Sequence, residues 1–312
     1  MTDQTKILAM HPEMHTLFPN KPDRWEFIDT SEDIDQVISN NGHAVEILLS
    51  ASIEKLDKDM LGRFPNLKMI ASISAGFSNI DLDECKARSI KVTNSPGMNS
   101  GDVADVAVTM MTSLLLKIPQ NHDYVMSDSW VTKAGPLRHS LRGMSVGIVG
   151  LGSIGREVVK RLEPFGVELK WWGPRKKENV ELPYVASLDD LAEQSRGLII
   201  CCRPDQSTYH LINESLLNRL GSDGILVNVS RGSVVDEPAL IAALKSRSIG
   251  GAGLDVFDPE PTSGSRWTDV PNAILSPHQG GSTYQTLFAQ AQLVQNNIEN
   301  FLDERPLLSS VL

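Results

Sequence analysis

The sequence predicts an α/β protein built from two doubly wound domains with parallel sheets, and three observations support this prediction. The chain has 312 residues, which is enough for two domains of ordinary size. Short apolar runs alternate with amphipathic helical stretches nearly throughout, as parallel sheets covered by helices require. The pattern Gly150-Leu151-Gly152-Ser153-Ile154-Gly155 follows one such apolar run and opens a helical stretch, which is the setting of a Rossmann-type phosphate loop.

The first domain is predicted from apolar runs typical of buried strands. They cover residues 6–10, 45–49, 67–73 and 90–93, with helices expected over residues 54–64 and 82–88. A long helix over residues 101–117 follows, with Ser100 as its predicted N-cap, Asp102 in its first turn and Pro119 marking its end. Its Val, Ala, Met and Leu content indicates a buried helix, packed either between domains or subunits or within an ordinary core.

The second domain begins near Leu141 and carries the glycine loop. Its strands are predicted over residues 145–149, 167–172, 198–202, 225–229, 251–256 and 273–275. Helices are predicted over residues 156–165 and 237–246, and a last helix over residues 281–302 is expected to pack back on the first domain. The cofactor domain is therefore expected in the middle of the chain.

Composition and charge argue against several classes of protein. Hydrophobic residues make up 41% of the chain, which argues against global disorder, and the net charge of -10 disfavours nucleic acid and anionic membranes as partners. No apolar run is long enough to span a bilayer, and the first residues lack a signal-peptide pattern, so we expect a cytoplasmic protein. Cys85, Cys201 and Cys202 are expected to be structural thiols, and no cluster suggests a metal site.

Each glycine of the loop has a physical reason. Gly150 permits a tight turn, Gly152 lets the backbone approach a pyrophosphate, and Gly155 lets helix and strand pack closely. The helix N-terminus then offers free N–H groups and a partial positive charge to the phosphates. The alternative is a glycine-containing turn that binds no ligand, which the strand and helix on either side disfavour.

The end of the next strand predicts which dinucleotide binds. An NAD site usually has an acidic residue there to accept from the ribose 2′-hydroxyl. Here the strand runs instead into Gly173-Pro174-Arg175-Lys176-Lys177, and a 2′-phosphate would suit Arg175. We therefore predict NADP(H), with NAD(H) as the second choice and a solvated basic turn as the alternative explanation.

Three residues further along have the chemistry that reduction of a 2-oxo acid requires. Arg231 is expected to hold the substrate carboxylate and polarise the carbonyl, and His278 is expected to donate the proton. Glu260 beside the imidazole would favour its charged form. Singly, each has an ordinary explanation: a strand-end cap, a solvated acid or a buried histidine. Together they follow candidate strands, where ligands bind in doubly wound sheets.

These segments resemble the D-isomer-specific 2-hydroxyacid dehydrogenase family, over residues 72–283. The most specific are residues 147–155, Asn228-Val229-Ser230-Arg231-Gly232, residues 253–261 and residues 276–283. Within the family the chain looks most like the glyoxylate/hydroxypyruvate and hydroxyphenylpyruvate reductase branch, which favours NADPH. The resemblance implies a flavodoxin-like substrate domain over residues 1–99, completed by residues 284–312, into which an NADP(H)-binding domain over residues 100–283 is inserted. It also implies a homodimer.

The resemblance also implies roles for individual residues. Arg231, Glu260 and His278 match the catalytic positions, Ala75 and Gly76 match a loop that binds the substrate carboxylate together with Arg231 and His278, and Val103 matches a residue near the nicotinamide. Cofactor contacts are implied for Gly150, Gly152, Ser153, Ile154, Gly155, Gly173, Pro174, Arg175, Lys176, Cys202, Arg203, Pro204, Thr208, Val229, Ser230, Arg231, Asp255, His278 and Gly280. Arg203 and the segment 129–133 depart from the family pattern.

The sequence favours one function and leaves others open. The favoured function is NADPH-dependent reduction of glyoxylate or hydroxypyruvate to D-2-hydroxy acids. An aryl pyruvate or 2-ketogluconate is the alternative substrate. A formate dehydrogenase-like relative is disfavoured because that branch lacks the acidic partner that Glu260 provides. A non-catalytic protein that senses dinucleotides remains the alternative from a different class.

Overall fold

The computed structural model describes residues 4–30, 33–51, 54–135 and 137–312. The first three residues, on which the expectation of no signal peptide partly depends, lie outside this range. The chain divides into two compact units, one formed by Met1–Asn99 with Ser282–Leu312 and the other by Ser100–Gly281. Among the residues that the structure describes, no helix combines the length and hydropathy needed to cross a lipid bilayer.

The first unit contains a parallel sheet with helices on both faces. Its described strands are β1 (Thr5–Ala9), β2 (Trp25–Phe27), β3 (Ile47–Ser50), β4 (Met69–Ser72) and β5 (Lys91–Thr93), in the spatial order β2-β1-β3-β4-β5. Its described helices are α1 (Ile34–Asn41), α2 (Lys58–Gly62), α3 (Leu82–Ala87) and α11 (Tyr284–Leu302). This strand order is that of a flavodoxin-like domain, as the resemblance implied.

The last helix of the chain belongs to the first unit. Ala291, Val294 and Ile298 on α11 are buried against the strands β1, β3 and β4. At its end Glu299 accepts hydrogen bonds from the Arg24 guanidinium at 2.7 Å and from the indole N–H of Trp25 at 2.8 Å. Apolar burial and these part-buried polar contacts together hold α11 against the sheet of the first unit.

The second unit contains a larger parallel sheet. Its described strands are β6 (Ser145–Val149), β7 (Glu168–Trp172), β8 (Gly197–Ile200), β9 (Ile225–Asn228), β10 (Gly251–Leu254) and β11 (Ala273–Leu275), in the order β11-β10-β9-β8-β6-β7. Its described helices are α4 (Ser100–Leu115), α5 (Ile118–Met126), α6 (Ser129–Thr132), α7 (Ser153–Leu162), α8 (Leu188–Glu193), α9 (Glu214–Leu220) and α10 (Glu237–Ser246). Helices α4 and α7 cover one face, and α8, α9 and α10 cover the other.

The strand order of the second unit creates the position for a ligand. After β6 the chain turns to one side to form β7, and it then crosses to the other side of β6 to form β8. Beyond β7, Tyr184 forms an isolated parallel bridge with Trp171, which extends the sheet at that edge. The loops after β6 and β8 therefore leave the sheet in opposite directions, and dinucleotides bind in the crevice between such loops.

Several predicted boundaries were wrong, and local contacts explain them. Ser100 is the first residue of α4 rather than its cap, and its buried hydroxyl has no hydrogen-bond partner among the described residues. The helix ends at Leu115, and Lys117 takes a left-handed conformation (φ 53°), so Pro119 lies in the first turn of α5, which begins at Ile118, instead of marking the end of α4. Helix α2 is shorter than predicted because Asp57 caps it at the amide of Met60.

Several short elements were not predicted, among them β2 and α1, and the ends of others were misplaced. Strand β2 has three residues and α1 has eight, so neither shows a long hydrophobic pattern. Strand β8 ends at Ile200, and the two adjacent cysteines follow it instead of belonging to it. Helix α11 begins at Tyr284 because Thr283 accepts a hydrogen bond from the amide of Thr286.

The long helix α4 is part of the core of the second unit. A side chain at Gly197 in β8 would lie 2.6 Å from the sulfur of Met111, and one at Gly253 in β10 would lie 2.8 Å from Met110. The two strands thus use glycine where this helix crosses the sheet. The burial of α4 predicted from its composition is confirmed, with nine of its residues buried.

Candidate active site

The glycine loop between β6 and α7 is folded tightly against its neighbours. Gly150 has a φ of 95°, which favours glycine, and its amide donates to the carbonyl of Trp172 at 2.8 Å. A Cβ at Gly150 would lie 2.6 Å from the Cα of Cys202, and one at Gly155 would overlap the carbonyl oxygen of Gly150. Side chains at these two positions would push the loop away from the segment that follows β8 and would separate the two ends of the loop.

The same loop is open on its other side. No described atom lies within 4 Å of the point where a Cβ would stand at Gly152. Gly152 precedes α7, and no described side chain caps this helix, so its first-turn N–H groups face a position suited to an anion. The ten-residue helix adds the partial positive charge of its N-terminus. These residues fit a dinucleotide pyrophosphate.

The basic turn after β7 lies beside this loop. Lys177 donates from Nζ to the carbonyl of Leu151 at 2.6 Å, so it supports the glycine loop, a role that the sequence did not suggest. Arg175 and Lys176 are exposed and form no ion pair with any residue that the structure describes. Two solvent-exposed cations are thus carried by the turn that follows β7.

The segment after β8 is held by its own hydrogen bonds. Thr208 is buried, and its hydroxyl accepts from the amide of Asp205 at 2.7 Å and lies 3.1 Å from the carbonyl oxygen of Arg203. Burial raises the pKa of the Cys202 thiol to about 11, and it raises the pKa of Cys201 still further. Both thiols therefore stay protonated near neutral pH, as expected of structural cysteines.

Asn228 shapes the turn that carries Arg231. Asn228 is the last residue of β9 and is buried, and its side-chain oxygen accepts from the amide of Ser230 at 3.0 Å. Its side-chain nitrogen donates to the carbonyl of Arg231 at 2.9 Å, while the Arg231 guanidinium donates to the carbonyl of Ser230 at 2.7 Å. The sequence analysis assigned no role to Asn228, because a buried amide is recognised only by its partners.

Glu260 and His278 form a direct pair. Nδ1 of His278 lies 2.7 Å from Oε2 of Glu260, and Oε1 of Glu260 accepts from the amide of Phe257 at 2.8 Å. Burial opposes ionisation of Glu260, but the hydrogen bonds from His278 and Phe257 and the charge of Arg231 together lower its pKa. The carboxylate is therefore charged at neutral pH, and its bond to Nδ1 leaves Nε2 as the ring nitrogen available for proton exchange.

The backbone at His278 is strained, and the carboxylate of Asp255 holds the two residues that follow it. His278 has a φ of 54°, in the left-handed region that side chains rarely adopt. The buried carboxylate of Asp255 accepts from the amides of Gln279 at 3.0 Å and Gly280 at 2.8 Å. A Cβ at Gly280 would lie 2.6 Å from this carboxylate. Both Asp255 oxygens thus support the turn.

The predicted catalytic residues meet at the carboxyl edge of neighbouring strands. Arg231 follows β9, Glu260 follows β10 and His278 follows β11, and these three strands are adjacent in the sheet. A Cβ at Gly232 would overlap the carbonyl carbon of Phe257, so the first two loops touch backbone to backbone. The structure therefore brings Arg231, Glu260 and His278 together at one edge of the sheet.

The predicted substrate loop lies in the first unit. Ala75 and Gly76 follow β4 and are half-buried. Asn94 donates from its side chain to the carbonyl of Ala75 at 2.6 Å, and the amide of Ser95 donates to the carbonyl of Ser74 at 2.9 Å. The loop after β4 is thus tied to the segment after β5 within this unit.

A cavity of about 250 Å³ opens at the amino edge of the second sheet, lined by Lys117, Ile225, Arg247 and Asn272 among others, and no predicted site residue lines it. It therefore lies at the end of the sheet opposite to Arg231, Glu260 and His278. Among the described residues, no group of three or more His, Cys, Asp or Glu side chains is arranged to hold a metal ion.

A family model and a similar protein of known name indicate the same family. Residues 108–280 match the model for the NAD-binding domain of D-isomer-specific 2-hydroxyacid dehydrogenases. A glyoxylate/hydroxypyruvate reductase of Arabidopsis thaliana is 39% identical over 255 residues, covering 81% of this chain and 79% of the relative. The residues matched by the family model include the glycine loop, Arg231, Glu260 and His278.

Solved structures agree with this result along the whole chain. A 2-hydroxyacid dehydrogenase from Ketogulonicigenium vulgare superposes with a TM-score of 0.90 at 30% identity, covering 100% of this chain and 99% of that one. An NADPH-dependent glyoxylate/hydroxypyruvate reductase from Sinorhizobium meliloti, in complex with NADP and malonate, has a TM-score of 0.87 at 32% identity, covering 99% and 97%. The chain therefore belongs to the D-isomer-specific 2-hydroxyacid dehydrogenase family.

Proposed function

We propose that this 2-hydroxyacid dehydrogenase is an NADPH-dependent reductase of small 2-oxo acids, with glyoxylate or hydroxypyruvate as the preferred substrate. The observation that supports the reaction most strongly is the pairing of Glu260 with His278 at 2.7 Å, next to the loop that carries Arg231. This arrangement provides a cation for a carboxylate and an acid–base group for a carbonyl oxygen at one edge of the sheet. The names of the similar reductases support the substrate class.

Each residue has a separate task in the proposed reaction. Arg231 binds the substrate carboxylate and draws electron density from the neighbouring carbonyl. His278 donates a proton from Nε2 to the oxygen that becomes the hydroxyl group. The ionised Glu260 holds Nδ1 and stabilises the positive charge that the ring carries as a donor. When bound, the nicotinamide supplies the hydride that reduces the carbonyl carbon.

In this proposal the second unit binds the dinucleotide through the open side of the loop at Gly152 and the first turn of α7. The family resemblance assigns the loop at Ala75 and Gly76, in the first unit, to binding of the substrate carboxylate. The exposed apolar side chains Met126, Trp130 and Val131 on and near α5 and α6 support a homodimer, which light scattering on the purified chain would test.

The preference for NADPH rests on the turn after β7. Arg175 and Lys176 are exposed there, and no acidic side chain of that turn is placed to accept from a 2′-hydroxyl: the first acid after β7 is Glu178. A guanidinium binds a 2′-phosphate through charge-assisted hydrogen bonds. A similar reductase has been solved with NADP bound, which supports this choice.

The experiment that tests the proposed function is a matrix of initial rates. NADPH and NADH are each offered with glyoxylate, hydroxypyruvate, phenylpyruvate, 2-ketogluconate and pyruvate, and oxidation of the nicotinamide is followed by absorbance. Rapid turnover of glyoxylate or hydroxypyruvate with NADPH supports the proposal. Preference for phenylpyruvate or 2-ketogluconate would overturn the substrate. Tight NADPH binding without turnover on any acid would favour a dinucleotide sensor.

A further inference from the structure

Glu237 is a buried carboxylate that the proposed reaction does not use. Glu237 is the first residue of α10, and only 3% of its surface is exposed. Glutamate is almost never buried to this extent unless its charge is compensated. The helix itself is capped by the neighbouring Asp236, whose side chain accepts from the amide of Ala239. Capping therefore does not explain why Glu237 points inward.

The partners of Glu237 lie on the loop that carries Glu260. Its Oε1 accepts a hydrogen bond from the amide of Asp258, and its Oε2 lies 3.2 Å from the guanidinium of Arg266. The same guanidinium donates to the carbonyl of Asp258 at 3.0 Å. Glu237 and Arg266 thus hold Asp258 from its N–H and its carbonyl, on the two sides of one residue.

The preceding amide in the chain, that of Phe257, is held by Glu260, the carboxylate that pairs with His278. Phe257 donates its amide to Oε1 of Glu260 at 2.8 Å, while Asp258 donates to Glu237. Two successive amides therefore bind two different carboxylates. Rotation of the segment at Asp258 would also turn the amide of Phe257, and with it the carboxylate of Glu260 that lies against His278.

Glu237 also joins the loop of Arg231 to the loop of Glu260. Helix α10 begins soon after Gly232, whose backbone is packed against the carbonyl of Phe257. The charged groups that act on Glu237 are Arg266, Asp258 and Glu260. Burial raises the pKa of Glu237, and the charges of Asp258 and Glu260 add to this, whereas the Asp258 amide and Arg266 oppose it.

We propose that Glu237 is a positioning residue for the acid–base pair. Glu237 and Arg266 both hold Asp258, and this keeps the carboxylate of Glu260 within hydrogen-bond distance of His278. This inference rests on the proposed function, because it assumes that Glu260 and His278 act as the acid–base pair. It adds a residue that touches neither ring nitrogen nor substrate and acts through the backbone of the segment from Phe257 to Glu260.

The test compares Glu237→Ala with the conservative Glu237→Gln in the full-length chain, using NADPH and the 2-oxo acid that wild type reduces fastest. Alanine removes the acceptor for the Asp258 amide, so we expect kcat to fall by on the order of tenfold, less than for loss of the acid itself. The KM for both substrates should change by less than about twofold, because neither binding group is touched. Glutamine retains an acceptor, so it should restore most of kcat.

The pH dependence separates positioning from general destabilisation. In Glu237→Ala the alkaline limb of the kcat/KM profile for reduction should move to lower pH. Replacing Glu260 by Gln, which removes the charge beside His278, should move it in the same direction. A matched control is Glu214→Ala, since Glu214 is also the first residue of a capped helix in the same unit but is exposed. That control should keep the wild-type profile.

Two kinetic results in the Glu237 variants would overturn the inference. A Glu237→Ala profile that coincides with wild type would overturn it, as would a kcat loss that glutamine does not restore. If Glu237→Ala does not fold, Arg266→Gln decides, because the Arg266 side chain is 30% exposed and its replacement opens no core. An unchanged alkaline limb in Arg266→Gln would then overturn the inference. If wild type reduces no 2-oxo acid, the proposed function fails instead, and NMR titration of the His278 ring in the same variants still tests the positioning role.

Discussion

Replacing Glu260 by Gln removes one charge from the pair while keeping its shape. The amide oxygen of Gln can still accept from the Phe257 amide, which Glu260 binds at 2.8 Å. What is lost is the negative charge 2.7 Å from Nδ1 of His278. The variant therefore tests whether this charge stabilises the protonated ring that donates in the reduction.

The expected magnitude follows from the exposure of the pair. Two unit charges about 4 Å apart interact by about 1 kcal/mol in water and by about 4 kcal/mol in the environment near a protein surface. The His278 side chain is 42% exposed and that of Glu260 is 33% exposed, so solvent screening favours the lower part of this range. About 1.4 kcal/mol corresponds to about one pH unit.

The expected shift is to lower pH in both directions of the reaction, but it falls on different limbs of the two pH profiles. Without the carboxylate, the charged ring that donates in the reduction loses a stabilising interaction, so the alkaline limb for reduction should move down by about one pH unit. Oxidation of the 2-hydroxy acid needs the deprotonated ring, so its acid limb should move down as well. In wild type the lowered pKa of Glu260 keeps this charge in place until the pH falls below the ordinary glutamate range.

The assay is the initial rate of both directions between about pH 5 and about pH 9, which spans the ordinary range of imidazole titration. Glu214→Gln, an exposed acid at the start of α9, is the control for loss of one negative charge. Coincident profiles for wild type and Glu260→Gln in both directions would refute the assigned pair. A fall in rate of equal size at every pH would also contradict the electrostatic reasoning.

Four further predictions concern single residues. His278→Ala should lower kcat by about a hundredfold or more at nearly unchanged NADPH affinity, measured by steady-state kinetics and fluorescence titration. Arg231→Ala should raise KM for the 2-oxo acid and lower kcat, whereas loss in KM alone would contradict its role at the carbonyl. Arg175→Ala should raise KM for NADPH far more than KM for NADH, and an equal change would argue against a 2′-phosphate contact. Gly232→Ala should destabilise the chain by on the order of 1–3 kcal/mol in urea, because its methyl group would overlap the Phe257 carbonyl. Gly264→Ala is its control, since Gly264 also begins a 3-10 helix but has open space around it.

The glycine loop and the alternation of strands and helices were predictable because each depends on local requirements. Gly150 has a positive φ, and a Cβ at Gly155 would overlap the carbonyl oxygen of Gly150, so both glycines are required by the loop itself. Apolar runs long enough to cross a sheet likewise indicate buried strands. Strand β2 was missed because three residues show no such run.

Contacts between distant segments were not predictable in the same way. Nothing near Glu237 in the chain shows that its carboxylate binds the amide of Asp258, or that Lys177 donates to the carbonyl of Leu151. Asn228 was visible only as part of a motif, although its buried amide holds the turn of Arg231. For Glu237 and Lys177 the partner is brought close by the order of strands in the sheet, whereas the partners of Asn228 lie two and three residues further along the chain, in the turn itself.

The α/β class, the phosphate loop and the residue types for the reaction follow from the amino-acid sequence alone, because hydrophobic period, glycine and side-chain chemistry act within a few residues. That Arg231, Glu260 and His278 share one sheet edge is a property of the tertiary structure, since it depends on β9, β10 and β11 being neighbours. The tertiary structure also brings the carboxylates of Asp255 and Glu237 to backbone amides of the loops that carry His278 and Glu260. Those contacts exist only after the strands have paired, because pairing alone brings their loops within hydrogen-bond distance.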